Sequence, residues 1–270
     1  MMIFGRSRAL TTAKVIGWIG ALFLLLPSFV IIPVSFTTHH YLSLPDEGLS
    51  LQHYQNLFSN PLWLGAIGQS LLIAILSTIL AVTTGTLGAI GLWRITSRFS
   101  DALRNLLLLP LIVPPIISAL AFYKAWVKLG LLDSYAGIAI AHAILAVPYV
   151  VITVTTSLSN FDPRLEQAAR NLGANAWQAM RLIIVPVIRP GIISGAVLAF
   201  LASWDEIVVT LFVTSQRIMT LPKAIWNGIR DNIDPTVAAV GSLVILITLI
   251  ATCIRLVRQS RALRQGSALR

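Results

Sequence analysis

The chain of 270 residues is strongly apolar, with 56% hydrophobic and only 11% charged residues. Soluble domains carry about 25% charged residues, so the composition excludes an ordinary soluble domain and indicates an integral membrane protein. The net charge of +10 suggests nucleic-acid binding as an alternative, but fifteen of the twenty Lys and Arg residues lie in segments that we assign to one side of the bilayer. Membrane topology therefore explains the charge, and no nucleic-acid partner is expected.

The first predicted span covers residues 15–36 and follows a basic amino-terminal segment. This apolar run is long enough to cross about 30 Å of hydrocarbon, and it is too long for the core of a cleaved signal peptide. Residues 37–62 contain no Lys or Arg and are expected to form an outer loop. The loop residues His39, His40 and His53 lack the spacing of metal ligands, so we expect solvated side chains and no metal site.

The second and third spans are predicted over residues 63–92 and 105–126. The second span is rich in Ser, Thr, Gly and Ala, which let membrane helices pack closely. The third span is interrupted by Pro110, Pro114 and Pro115. Proline frees backbone carbonyls that a neighbouring helix or a water-filled cavity must satisfy. Two interpretations stay open for this span, namely a plain structural kink and a kink that lines a transport pathway.

The remaining spans are predicted over residues 135–158, 191–213 and 236–256. The fourth span contains His142, and an ionisable residue inside a membrane invites a proton-relay interpretation. No second ionisable residue lies on the same predicted helix. A packing role with hydrogen-bonded ring nitrogens is therefore favoured for His142. The single cysteine, Cys253, lies in the sixth span and excludes a disulfide framework.

Two adjacent acids, Asp205 and Glu206, lie inside the predicted fifth span and follow Trp204. An acid near the bilayer centre costs roughly 2.5–3.5 kcal/mol on insertion scales, so both acids need compensation. Consecutive helical residues point about 100° apart, and at most one acid is expected to aim straight into a pathway. Either one acid helps a cation to pass, with Trp204 offering a cation–π face, or both acids form structural pairs with neighbouring helices.

Residues 159–190 form a long polar interruption between the fourth and fifth spans. Asp162 is expected to cap a helix that starts at Pro163, where the missing N–H costs nothing. Gly173 is expected to end this helix in a left-handed conformation. The pattern predicts a helix followed by a glycine turn.

A second helix is predicted after that turn. Asn175 and Gln178 stand three residues apart, as in a capping box. Pro186 and Pro190 are expected to close this helix before the fifth span begins. The whole segment therefore has the form helix, glycine turn, helix, and it is suited to docking against another protein.

The order of residues in this segment resembles the EAA loop of bacterial ABC importer permeases. The positions that carry the resemblance are Gln167, Ala168, Ala169, Gly173, Ile183, Val185 and Pro186. The coupling residues that it implies are Glu166, Gln167, Ala168, Ala169, Gly173, Ile183 and Pro186. Gln167 occupies the usual Glu position, with Glu166 one residue earlier, and Val185 replaces the usual Leu. The resemblance implies a cytoplasmic loop that fits a cleft on an ATP-binding subunit and transmits its closure to the membrane helices.

Further segments, at residues 49–78, 203–215 and 220–248, are similar to the second permease subunit of spermidine/putrescine importers. The likeness extends over roughly residues 15–256, with Gln69 standing where relatives usually have Asn. It implies a type I permease fold with six membrane helices. It also implies a homologous second permease, an external substrate-binding protein, and two copies of an ATPase that holds ATP and magnesium. No cofactor is expected in this chain.

Topology follows from the distribution of Lys and Arg. With the amino terminus inside, the inner segments contain three, three, four and five of them, against none, two and three in the outer segments. This bias places both termini and residues 159–190 on the cytoplasmic side of the membrane. The resemblance implies that this membrane is a bacterial inner membrane. We therefore expect one transmembrane permease domain over residues 1–270, surrounded by lipid.

The chain contains no nucleophile-base arrangement, metal-ligand set or phosphate-binding loop, so it is expected neither to bind ATP nor to catalyse covalent chemistry. The resemblance implies a transport subunit and not an enzyme. The leading function is an ABC importer permease for polyamines. Other small solutes, such as opines and amino-acid derivatives, are alternative cargoes. An ion-coupled secondary transporter, in which Asp205, Glu206 or His142 binds a proton, and a membrane scaffold without transport activity are the competing classes.

Overall fold

The computed structural model describes residues 3–95, 97–232 and 234–267, and every regular element in these ranges is helical. The predicted all-α fold class is confirmed. The helices are α1 (Ile3–Val34), α2 (Gln52–Ser59), α3 (Pro61–Arg94), α4 (Arg98–Leu108), α5 (Pro115–Leu129), α6 (Tyr135–Ser159), α7 (Pro163–Asn171), α8 (Ala176–Ala179), α9 (Val185–Trp204), α10 (Val208–Val213), α11 (Leu221–Asn227) and α12 (Thr236–Ser267).

Five stretches of helix within the described residues are long and apolar enough to cross a membrane: Thr11–Val34, Pro61–Arg94, Tyr135–Ser159, Ala176–Trp204 and Thr236–Ile254. A sixth crossing results if the bent pair Ser100–Leu111 and Pro115–Leu129 forms one span. The lengths fit the thickness of a hydrocarbon core.

The third predicted span is broken and not merely kinked. Helix α4 ends at Leu108, a 3₁₀ turn follows over Leu109–Leu111, and α5 begins only at Pro115. The two parts meet at an angle of 103°. Pro110 lies in the 3₁₀ turn, and Pro114 is extended, with φ −54° and ψ 136°. Prolines without backbone N–H groups cannot continue the helical ladder, which explains the break.

The fifth span differs from its predicted bounds at both ends. Pro186 and Pro190 do not close the second loop helix, because α8 continues through a π-helical turn at Met180–Ile184 into α9. In this turn the N–H of Val185 bonds to the carbonyl of Met180, five residues back, and the changed register accommodates Pro186, which has no N–H to donate. At its other end the helix stops at Trp204. Residues 205–207 are not helical, and the short helix α10 contains the remainder of the predicted span.

Contacts group the chain into two compact units, one formed by residues up to Leu64 together with those from Ile225 onward, the other by Gly65–Ala224. The single permease domain stays a prediction. In the first unit, Asn56 Nδ2 donates to Thr236 Oγ1 at 2.8 Å and Ser242 Oγ donates to the carbonyl of Ile31 at 3.4 Å. These bonds join α12 to α2 and α1.

Helices α6 and α9 form the main packed pair of the second unit. Buried alanine, valine, leucine and isoleucine side chains fill the region around them, including Val150, Val154 and Ile188. The close approach depends on glycine, because a Cβ at Gly191 would lie 2.7 Å from the carbonyl oxygen of Thr153. Small residues at such contacts let membrane helices gain van der Waals packing that lipid does not provide.

We expect Gly191→Ala to destabilise the protein by about 1–3 kcal/mol, since the carbonyl oxygen that the new methyl group would meet belongs to the backbone of α6 and cannot rotate away. Gly68→Ala is the matched control, because a Cβ there would meet no atom within 4 Å. Thermal unfolding in detergent should show a lower Tm for Gly191→Ala alone. Equal Tm values for the two variants would contradict this close packing.

Candidate functional site

The break in the fifth span contains both membrane acids. Helix α9 ends at Trp204, and the N–H of Asp205 still bonds to the carbonyl of Leu201 at 3.1 Å. Glu206 then turns its carboxylate onto the next helix, where Oε1 accepts a hydrogen bond from the N–H of Val209 at 2.9 Å. A carboxylate that satisfies the free N–H groups of a first turn favours a new helix start. The sequence predicted that the acids lie in one continuous helix. The structure places them instead at a junction between two helices.

A cavity of about 340 Å³ opens beside this junction. One wall is the broken third span, with Pro110 and Pro115, and another is Tyr149 of α6. Asp205 and Glu206 line the third wall. The structure thus brings the prolines of the third span and the acids of the fifth span to one cavity, which favours the interpretation that the interruption lines a pathway.

The two acids differ in their surroundings. Glu206 is half-buried and bonded to the start of α10, whereas Asp205 is exposed. Within the described part of the chain, no hydrogen bond or ion pair involves the carboxylate of Asp205. Trp204 does not line the cavity, and its ring stacks on Phe200 with centroids 5.9 Å apart. Asp205 is therefore the acid whose carboxylate is exposed at the cavity without a partner among the described residues.

His142 is buried next to the same junction, with 2% of its surface exposed. Its Nδ1 lies 2.9 Å from Ser203 Oγ, and its Nε2 lies 3.1 Å from Thr210 Oγ1. Both ring nitrogens therefore have hydroxyl partners, one on each side of the break. This is the packing arrangement that the sequence favoured for His142, although its partners could not be read from the sequence.

The predicted local structure of the polar loop is confirmed. Asp162 Oδ1 accepts a hydrogen bond from the N–H of Arg164 at 2.9 Å and caps α7. Gly173 has φ +92°, in the left-handed region. Asn175 and Gln178 form a reciprocal capping box, with bonds of 2.8 and 2.9 Å. The result is a helix, glycine turn, helix segment, which we call the coupling hairpin (α7, Gly173 and α8).

The coupling hairpin presents large apolar side chains to its surroundings. Leu172 is 90% exposed and Trp177 is 70% exposed. Gln167 and Ala168 are also exposed, whereas Ala169 is half-buried. Farther along the chain, Ile183 is half-buried in the π turn and Pro186 is exposed. Exposed apolar groups at a polar helical turn are typical of a protein interaction site.

Glu166 holds the coupling hairpin against the end of α3. One of its carboxylate oxygens lies 3.1 Å from Arg94 of α3 and 3.1 Å from Arg170 of α7. The side chain of Glu166 is only 13% exposed, which reduces screening by water. The acid that precedes the usual EAA position therefore forms ion pairs, while Gln167 in that position remains exposed.

Sequence reasoning missed how the loop between α10 and α11 is held. Asp133, in the turn before α6, accepts hydrogen bonds from the N–H groups of Ser215 at 2.9 Å and Arg217 at 3.1 Å. Its own backbone is left-handed, with φ 49°, which Asp tolerates better than most residues. The partners are more than 80 residues apart in the chain, so no local pattern could identify them.

Two more side chains hold the same loop, and we call the contacts of Asp133, Gln69 and Lys223 the loop anchor. Gln69 Oε1 accepts a hydrogen bond from the N–H of Met219 at 3.0 Å. The buried Lys223 donates to Thr214 Oγ1 at 2.9 Å and to the carbonyl of Ile218 at 3.1 Å. Burial lowers the pKa of Lys223, and the nearby carboxylate of Asp133 opposes that shift. Gln69, which stands where relatives usually have Asn, therefore has a defined structural role.

We expect the loop anchor to weaken in acid. Burial tends to raise the pKa of Asp133, but hydrogen bonds from the backbone of Ser215, Arg217 and Ile218 outweigh it and lower the pKa below the ordinary 3.8. A carboxyl group whose pKa is depressed by folding stabilises the folded state above its unfolded pKa, and this contribution is lost as pH falls through the folded pKa.

Asp133→Asn tests this contribution and keeps a residue that tolerates the left-handed backbone. The variant should unfold at a lower temperature than the parent protein at pH 7, and the difference should shrink as the pH falls below about 4. Thermal unfolding in detergent at several pH values measures it. A difference in Tm that does not change with pH would contradict the role of the charged form.

Residues 81–263 match the family model described as "Binding-protein-dependent transport system inner membrane component". The spermidine/putrescine transport system permease protein PotC of Haemophilus influenzae is 30% identical over 227 residues, which cover 84% of this chain and 88% of that protein. The putrescine transport system permease protein PotI of Escherichia coli is 29% identical and covers 84% of this chain and 83% of its own length.

A more distant relative is the trehalose transport system permease protein SugB of Mycobacterium tuberculosis, which is 28% identical over 75% of each chain. Among solved structures, a bacterial ABC transporter that imports the acidic polysaccharide alginate matches with a TM-score of 0.72 and 17% identity, over 96% of this chain and 98% of that one. This likeness supports the fold. Because the family model spans most of the chain and agrees with the relatives, the chain belongs to the inner membrane components of binding-protein-dependent transport systems, which are transport subunits and not enzymes.

Proposed function

We propose that this permease conducts polyamines into the cell as part of an ATP-driven ABC importer. The observation that carries the choice of cargo is the free carboxylate of Asp205 in a cavity between broken helices, in a chain that resembles spermidine/putrescine permeases over 84% of its length. An ammonium group about 4 Å from a carboxylate gains from about 1 kcal/mol in bulk water to about 4 kcal/mol at an effective dielectric constant near 20, so an exposed carboxylate lies towards the lower value. A neutral cargo would gain nothing comparable from this acid.

The coupling hairpin docks on a partner ATPase in this proposal. Its exposed apolar side chains, including Leu172 and Trp177, supply the contact surface. Glu166, Gln167, Ala168, Ala169, Gly173, Ile183 and Pro186 form the coupling element. The ion pair between Glu166 and Arg94 then transmits movement of the hairpin to α3. Since α8 is continuous with α9, the same movement reaches the acids at the far end of α9.

The remaining parts of the transporter are also proposals. Two ATPase copies hold ATP and magnesium, a homologous second permease completes the pathway, and an external binding protein delivers the cargo. The coupling hairpin and both termini lie in the cytoplasm, as the excess of Lys and Arg in the inner segments indicates. ATP binding closes the ATPase pair and alternates access to the cavity.

The test is ATP hydrolysis by the reconstituted transporter with its binding protein, supplied in turn with spermidine, putrescine, an amino acid, an opine and trehalose. Stimulation by a polyamine alone is expected. Stimulation by another solute alone would keep the importer mechanism and overturn the polyamine cargo. No stimulation by any solute in an intact complex would overturn the importer mechanism.

An ion-coupled transporter is distinguished by its energy source. Uptake into proteoliposomes should require ATP on the side of the membrane where the ATPase lies. It should continue when an uncoupler abolishes the proton gradient. Uptake without ATP that collapses with the uncoupler would contradict the proposal. For a scaffold without transport activity, Asp205→Asn would leave uptake unchanged.

A further inference from the structure

We propose that His142 is a positioning residue that pins the two sides of the broken fifth span together and thereby directs Asp205 into the cavity. This inference rests on the proposed function in one respect, namely that the cavity receives a cationic cargo. The pin consists of His142, Ser203 and Thr210, and it can be tested by its geometry as well as by transport.

The pin links both sides of the junction to α6. Ser203 lies in the last turn of α9, two residues before Asp205, and Thr210 lies in α10, four residues after Glu206. His142 of α6 contacts Ser203 Oγ at 2.9 Å and Thr210 Oγ1 at 3.1 Å. A single imidazole ring therefore links the end of one helix and the start of the next to a third helix.

The hydrogen bonds of the pin form one consistent chain. Thr210 Oγ1 donates its only proton to the carbonyl of Glu206 at 2.9 Å. Its oxygen must then accept the proton on Nε2 of His142, and Nδ1 is left to accept the hydroxyl proton of Ser203. Buried polar groups that lose such partners cost more than the bond itself contributes, so the pin favours one arrangement of the junction.

The pin is also connected to the cavity wall. His142, Leu145 and Tyr149 are spaced at three and four residues along α6 and so share one face of that helix. Leu145 and Tyr149 line the cavity that contains Asp205. The carboxylate of Glu206 is held separately by the N–H of Val209. The backbone of the junction thus sets the direction of the Asp205 side chain. His142 holds this backbone against α6, which forms one wall of the cavity.

A direct readout of the pin is the reactivity of a cysteine placed at position 205. The assembled transporter, carrying Cys253→Ser and Asp205→Cys, is treated with a membrane-impermeant methanethiosulfonate reagent that has a positive charge. We expect His142→Ala to slow labelling by about fivefold. The junction then loses two buried hydrogen bonds and no longer directs the side chain at position 205 into the cavity. Val151→Ala, which removes bulk from another buried position on α6, is the matched control and should label at the parent rate.

One conservative pair and one single variant test the pin if His142→Ala fails to fold. Thr210→Val removes the hydroxyl group and keeps the shape, whereas Thr210→Ser keeps the hydroxyl group. Ser203→Ala removes the other half of the pin. We expect Thr210→Val and Ser203→Ala each to slow labelling and Thr210→Ser to restore it. In the background with native Asp205, the same variants should raise the KM for polyamine uptake more than they lower the maximal rate.

The outcomes separate this inference from the proposed function. Labelling rates and KM values for the pin variants that equal those of Val151→Ala would overturn the pin, even if Asp205→Asn abolishes polyamine uptake. Slowed labelling with unchanged polyamine uptake in Asp205→Asn would support the pin and overturn the role of the acid in cargo passage.

Discussion

Replacing Gly173 with valine is expected to lower the cargo-stimulated ATP hydrolysis of the assembled transporter by about tenfold. Gly173 has φ +92°, where L-residues are strained and β-branched residues are especially disfavoured. A Cβ at this position would meet no atom within 4 Å, so the effect arises from the backbone alone. The glycine turn sets the direction of α8 relative to α7, and a changed turn separates the two halves of the proposed docking surface.

Two variants control this experiment. Gly91→Val makes the same change in α3, where a Cβ also meets no atom within 4 Å but the backbone is helical. It should retain most of the coupling. Gly173→Asn should fall between Gly173→Val and the parent, because Asn tolerates left-handed backbone. ATP hydrolysis and co-purification of the ATPase are measured together, and equal values for Gly173→Val and Gly91→Val would contradict a role for the turn.

Asp205→Asn is expected to lower kcat/KM for polyamine uptake by about tenfold, which corresponds to about 1.4 kcal/mol for one lost carboxylate–ammonium contact. The change is nearly isosteric, and the exposed carboxylate of Asp205 makes no hydrogen bond or ion pair among the described residues. The amount of folded protein in the membrane should therefore stay close to that of the parent. Uptake of labelled spermidine into proteoliposomes, normalised to folded protein, measures the effect.

Glu206 provides the matched comparison, because it is the neighbouring acid with a different contact. Glu206→Gln keeps an oxygen that can accept from the N–H of Val209, whereas Glu206→Ala removes this cap. We expect Glu206→Gln to lose less uptake than Asp205→Asn, and Glu206→Ala to lose folded protein as well. Equal losses of uptake and of folded protein in Asp205→Asn would indicate a purely structural acid.

The coupling hairpin illustrates which features can be predicted locally. Asp162, Asn175 and Gln178 bond to backbone groups two or three residues away, so the order of residues is sufficient to identify the caps. Gly173 was identified for the same reason, since its conformation ends the adjacent helix. The exposure of the hairpin and its tie to α3 were not predictable in this way.

The prolines illustrate the opposite case. Pro114 and Pro115 separate α4 from α5 by a sharp bend, whereas Pro186 and Pro190 lie within one continuous helix. The residue type is identical, and for Pro186 the difference lies in the π turn that precedes it. A change in hydrogen-bond register lets a helix continue at a proline, which a rule based on residue type alone does not predict.

The sequence by itself determined the membrane class, the apolar segments, the caps of the coupling hairpin and the resemblance to ABC importer permeases. These features depend on composition and on contacts within a few residues. Only the tertiary structure decided that the fifth span breaks at its acids, that His142 bridges this break, and that Arg94 holds Glu166. The bonds concerned join residues 61, 68 and 72 positions apart, so the packing of α3, α6 and α9 brings them together and local order cannot.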